Sequence, residues 1–121
     1  MHTREEIAEQ LSNNIGYGDL LEGTKNGTVV MVNEYVLAKS LLETYKETVG
    51  NTKEVRITNR AEEYIVLTQI ASVRVTYSKF IRVGLEMKNG EEKYFEVKPD
   101  ADVNAIIQTL MFQIGRAAGK R

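Results

Sequence analysis

Between Tyr64 and Leu85 the chain carries no acidic side chain, and within that stretch apolar residues fall on every second position. Ala71, Val73, Val75 and Tyr77 alternate with Ser72, Arg74, Thr76 and Ser78. After Lys79-Phe80 a second alternation begins, with Ile81, Val83, Leu85 and Met87. Two successive runs of period two predict two half-buried strands joined antiparallel. A sheet with one apolar face must bury it under a second layer, so this hairpin marks the centre of the fold. Its only charges, Arg74, Lys79 and Arg82, gather near the turn beside Phe80.

Composition narrows the class. The chain has 121 residues, 42% hydrophobic and 27% charged, as expected of one globular domain with a core that needs no staples. A formal net charge of −1 argues against a dedicated nucleic-acid binder, which shows a basic excess. The absence of cysteine excludes disulfides and thiolate metal sites and favours a cytoplasmic address. No basic segment followed by an apolar one opens the chain, and no apolar run approaches about 20 residues, so neither a signal peptide nor a membrane span is expected. The single histidine, His2, lies at the start. A metal site would need carboxylates alone, and no cofactor is expected.

One domain over 1–121 is the expected organisation. Residues 1–26 supply a helix and a loop. Thr3-Arg4-Glu5-Glu6 has the pattern of a capping box, and Ile7, Leu11 and Ile15 form a narrow helical stripe that Gly16-Tyr17-Gly18 ends. Residues 27–98 are mainly antiparallel sheet, starting with a strand at Thr28–Val32. Within 34–49, Ala38, Leu41, Leu42, Tyr45 and Val49 fit a helical face, and Lys39 and Glu43 form an i,i+4 pair. That predicts a helix, with a hairpin turning at Asn33-Glu34 as the alternative. Strands at Glu54–Thr58 and Tyr64–Leu67 are expected around a turn at Asn59–Glu62, with a bend near Thr68-Gln69. A last strand runs Lys93–Lys98. If like faces oppose, Val83 pairs with Val97 and Leu85 with Phe95 around an odd-length loop, rather than Val83 with Glu96 around Asn89-Gly90. A helix over 99–115 follows. Val103, Ile106, Ile107, Leu110, Met111 and Ile114 form its stripe, with Asp100 or Asp102 as cap and Gly115 as stop. Residues 116–121 make a basic, mobile tail.

Ile65, Leu67, Ile70, Ser72 and Val73 form the phrase I-x-L-x-x-I-x-S-V, and a Phe95-Glu96-Val97 strand and one C-terminal helix follow. Over 54–114 this resembles the pleckstrin-homology-like domains of bacteria and archaea. The resemblance implies an α+β fold: a bent antiparallel sheet or partial β-barrel closed by the C-terminal amphipathic helix, here with an added N-terminal helix. It also implies use as a binding module. The tryptophan of typical eukaryotic members is absent from the terminal helix, and no basic phosphoinositide motif occupies the first strands, so lipid binding does not carry over.

The candidate contact surface is Arg74, Lys79, Phe80 and Arg82. An exposed aromatic between cations can enter a headgroup layer, stack on a base or anchor a protein. The alternative is a hairpin tip whose phenylalanine folds back onto the barrel rim. Glu62-Glu63 and Glu91-Glu92 are unsuited to an acid/base dyad, because adjacent strand residues point to opposite faces. Gly115-Arg116-Ala117-Ala118-Gly119-Lys120 follows a helix and lacks the spacing and terminal Ser/Thr of a phosphate loop. Tyr35, Tyr45, Tyr64 and Tyr94 read as core-edge residues with wet hydroxyls. Met111 is expected in the core, and Phe112 off the stripe. The inventory predicts a non-catalytic binding or assembly module with a protein partner or self-association. The alternatives are association with an anionic membrane surface or nucleic acid through the basic corner and, last, a small carboxylate- or tyrosine-based enzyme.

Overall fold

A computed structural model describes residues 3–51 and 53–119. His2, Lys120 and Arg121 lie outside the described residues. The fold is α+β, with two antiparallel sheets and two helices. Strands β1 (Asp19–Leu20), β2 (Val29–Val32), β3 (Val36–Val49) and β4 (Lys53–Val66) form a four-stranded meander; β5 (Ile70–Tyr77), β6 (Ile81–Met87) and β7 (Glu92–Val97) form a three-stranded one. A 3-10 turn at Leu67–Gln69 lies between the sheets, where the bend near Thr68-Gln69 was expected. Helix α1 (Arg4–Ile15) opens the fold and α2 (Val103–Ala118) closes it.

The base of the first sheet is covered on both faces. Val30, Val32, Leu37 and Ile65 enter the main core with Val83, Leu85, Phe95, Val97, Ile106 and Leu110. On the opposite face Val29, Met31 and Ala38 pack under Ile7 and Leu11 of α1. This explains why all four β2 residues are apolar and buried, since a strand covered on both sides loses its alternation. Thr3 caps α1, its Oγ1 accepting from Glu6 N at 3.1 Å. The sheets meet at one corner, where Thr24 bridges Val97, Lys25 N donates to Glu96 O at 2.9 Å and Lys98 N to Gly23 O at 2.8 Å. The barrel is partial, not closed. Gly23 suits this corner: its φ is +88°, and a Cβ there would meet Ala101 Cβ at 2.7 Å.

The helix expected within 34–49 is absent; those residues are β3, paired with β4 from Val36↔Val66 to Val49↔Lys53. The turn is at Glu34-Tyr35, where Asn33 Oδ1 accepts from Tyr35 N at 2.8 Å and Val36 N at 2.9 Å. The expected break at Asn59–Glu62 is also absent, and β4 runs through it. From about Leu42 to Arg60 the two strands form an arm, exposed over most of its length. Among the described residues, the hydrogen bonds and ion pairs of 43–59 all cross the arm itself: Thr44 to Thr58, Asn59 to Tyr45, and Lys46 to Glu54.

Like faces do oppose in the last hairpin, but shifted by two residues. Val83 pairs with Phe95 and Ile81 with Val97, around the three-residue loop Lys88-Asn89-Gly90. Gly90 at φ +91° takes the left-handed position that ends such a loop. Helix α2 is capped by Asp102, whose Oδ1 accepts from Ala105 N at 3.0 Å, and runs past Gly115 to Ala118. The start of the expected tail, Arg116–Ala118, is therefore helical. Met111 is exposed, not buried: the buried line is Ile106, Leu110, Gln113 and Ala117. Spacings of four, three and four put these residues on one face, so Gln113 takes the place that an apolar reading assigns to Met111. Phe112 lies off the stripe and is exposed.

Candidate binding sites

The β5–β6 corner brings Arg74, Phe80 and Arg82 to one shallow groove, together with Thr76 and Ser78. Lys79 is exposed at the tip and does not line it. The loop is held by Ser78, whose N and Oγ both donate to Phe80 O, at 3.3 and 3.1 Å. Phe80 is 45% exposed, with Lys25 Nζ 5.2 Å from its ring centroid. The corner is not free of acids. Glu96 stands directly across from Arg82 in the β6–β7 register, and Glu92 and Glu96 both line the groove. Arg82 stacks on Tyr94 at 4.1 Å. The cations are therefore balanced by carboxylates arriving from a strand ten or more residues further along the chain.

A second site lies at the foot of the arm. Helix α1, the loop before β2 and the base of β3 and β4 enclose a cavity of about 490 Å³. Ile7, Val29 and Leu42 supply apolar wall, and every ionisable side chain in the lining is basic: Arg4, Lys25, Arg60 and Lys98. Leu42 N donates to Gly27 O at 3.2 Å, which fixes the arm against the loop. Arg60 is oriented by Glu62 at 2.6 Å, by Ser40 Oγ at 3.2 Å and by Gln10 Oε1 at 3.3 Å. Hydrogen bonds from Tyr64 and then Arg60 hold the Glu62 carboxyl below its ordinary range, so it stays charged at neutral pH. Arg4 pairs with Glu22 at 3.3 Å and Lys25 with Glu96 at 3.7 Å. None of these three carboxylates lines the cavity. Sequence reasoning missed this site, because its cations are scattered from position 4 to position 98.

The tyrosines are exposed, as the expected wet hydroxyls require, but Tyr45 lies out on the arm and not at the core edge. Tyr35, Tyr45, Tyr64 and Tyr94 are all exposed, and the Tyr64 hydroxyl accepts from Asn14 at 2.7 Å and donates to Glu62 at 2.8 Å. Comparison with family models, characterised proteins and solved structures finds no match to this chain.

Proposed function

We propose that this protein is a non-catalytic binding module of pleckstrin-homology-like architecture whose ligand is an anion with an apolar body. The observation that carries the reading is the cavity at the foot of the arm, with its mostly apolar wall and its exclusively basic ionisable lining. An apolar pocket with a few convergent polar groups is the usual form of a small-molecule site. Arginine and lysine heads over an apolar wall fit a carboxylate or phosphate joined to a hydrocarbon or aryl group. Two antiparallel sheets and a terminal helix are compatible with that architecture.

Decanoate is a suitable probe, followed by calorimetry and by backbone amide shifts. Binding should be saturable and should shift residues 24–29 together with Leu42 and Arg60. Lys98 has no ion-pair partner among the described residues, so Lys98→Glu should leave the melting temperature within about a degree while weakening decanoate roughly ten-fold. Equal binding of decyltrimethylammonium would reject the anion reading.

The arm supports a second role, self-association. A lone two-stranded ribbon is marginal in water. This one exposes Tyr45 and Val49 on one face, with Tyr45 opposite Ile57. Pairing with a second copy would cover that face and the free strand edges. Light scattering should give a dimer mass for the wild type and a monomer mass for Tyr45→Lys with Ile57→Lys. A monomeric wild type at about 100 μM, well above the Kd of a stable dimer, would exclude this role.

A further inference from the structure

The β3–β4 arm has two unlike faces. Even-numbered residues of β3 pair with even-numbered residues of β4, so the even side chains of both strands share one face and the odd ones the other. Beyond Leu42 and Arg60 the even face carries Thr44, Lys46, Thr48, Glu54, Arg56 and Thr58, all exposed. The odd face carries Tyr45, Val49, Val55 and Ile57 with Glu43 and Glu47. Contacts within the arm keep the two sets apart. On the even face the Thr44 and Thr58 hydroxyls meet at 3.1 Å and Lys46 reaches Glu54 at 3.8 Å. On the odd face Asn59 donates to the Tyr45 hydroxyl at 3.3 Å.

Lys46 stands directly opposite Arg56. Like charges opposed across a strand pair repel, and little in the arm relieves this. Glu54 reaches Lys46 from a solvent-exposed position, and Arg56 has no ion-pair or hydrogen-bond partner among the described residues. The face therefore keeps an excess of positive charge, flanked by threonine hydroxyls. Lysine, arginine and threonine are side chains that contact phosphate oxygens. Shape decides among the polyanions. Sites for single strands stack bases on aromatic side chains, and Tyr45 is on the other face. A bilayer surface takes an apolar face along with the cations, and this face has none beyond Leu42. The major groove of B-form DNA admits a two-stranded ribbon, whereas that of A-form RNA is too narrow. From Leu42 to Thr48 the ribbon extends about 20 Å, or about six base-pair steps. The net charge of −1 does not oppose this contact, because Glu43 and Glu47 project from the reverse face.

We infer that the even face of the arm is an interaction surface for double-stranded DNA, with the ribbon in the major groove and Lys46 and Arg56 on backbone phosphates. Contacts of this kind position a protein on a duplex without reading its sequence. Neither cation lines the anion cavity, so the inference goes beyond that reading and does not rest on it. Self-association would cover the odd face and leave this one open.

The experiment is fluorescence anisotropy with the full chain and a labelled DNA duplex of about 20 base pairs, longer than the reach of the ribbon. Saturable binding is expected at low salt, with log K falling against log salt at a slope of about −2, close to −0.9 for each of two phosphate contacts. Arg56→Ala should make that slope shallower by about one. Arg56→Glu should weaken binding roughly ten-fold, with the melting temperature within about a degree of wild type because the position is exposed. Lys53→Glu makes the same change in net charge on the odd face and should weaken binding by less than about three-fold. The comparison separates a contact face from overall charge. A single strand of the same sequence, duplex RNA and phosphatidylserine vesicles should each bind several-fold more weakly than duplex DNA. The inference is overturned if the duplex gives no salt-dependent binding, if Lys53→Glu weakens it as much as Arg56→Glu, or if the single strand, duplex RNA or the vesicles bind as tightly.

Discussion

Replacing Leu110 with alanine should lower the unfolding free energy by about 3–5 kcal/mol, the upper part of the range for a leucine truncated in a packed core. Leu110 is fully buried, in one cluster with Leu37, Val83, Leu85, Phe95 and Ile106. These partners come from both sheets and from its own helix, so the void cannot be closed by moving one element. Urea denaturation checks the value. Met111→Ala, one position along the helix but half exposed, should cost no more than about 1 kcal/mol. Equal losses in the two variants would mean that α2 packs in a different rotation.

The second large effect is expected at Glu63, and its sign is informative. Lys39 is nearly buried, and its Nζ reaches from β3 to Glu63 Oε1 at 3.0 Å and to Tyr94 O at 2.7 Å on β7. Lys93 holds the other carboxylate oxygen at 2.9 Å. Glu63→Gln strips the buried ammonium of its counter-charge and should cost about 2–3 kcal/mol, somewhat less than breaking a fully buried pair. Lys39→Met should cost less, because Glu63 keeps Lys93 and a third of its side chain meets solvent. Adding Lys39→Met to Glu63→Gln should recover part of the loss. If Lys39→Met proves the costlier single change, the buried charge is not the source. Burial pushes the Glu63 carboxyl up, but hydrogen bonds from Lys93 and Lys39 outweigh it and hold the group below its ordinary value of 4.5. A carboxyl depressed on folding stabilises fully above its unfolded value, and the contribution disappears as pH falls through the folded one. Wild-type stability should therefore fall below about pH 4.5 more steeply than that of Glu63→Gln.

Where burial on one face drives the pattern, the chain was legible. The Ile81–Met87 alternation, the Thr3 cap and most of the α2 stripe all appear as expected. The failures share a cause. In 41–49 the apolar residues Leu41, Tyr45 and Val49 recur every fourth position. Four is an even number and also close to 3.6, so the same residues lie on one face of a strand or of a helix. Pairing with β4, at separations falling from thirty residues at Val36↔Val66 to four at Val49↔Lys53, decided for strand. Asn59 to Glu62 looked like a turn because it is polar, yet an arm open to water on both faces has no need of apolar residues there. In the last hairpin the face argument fixes only whether paired numbers sum to an odd or even total. The loop glycine at position 90 chose the sum. The binding sites were less legible. Arg74, Phe80 and Arg82 do converge, but Glu92 and Glu96 join them from β7. Spacing along a chain carries no record of such arrivals, nor of the meeting of Arg4, Arg60 and Lys98.

The arm also makes this fold adjustable in reach. Cross-strand partners in β3 and β4 stay in register over fourteen pairs, and each strand residue advances about 3.4 Å. Removing two residues from each strand beyond Leu42 would retract the tip by about 7 Å and keep every remaining side chain on its face. Removing one from each would retract it by half as much and exchange the faces of everything beyond the deletion. Length at this position is therefore graded in steps of two, like the teeth of a ratchet, while the two-sheet core below stays untouched.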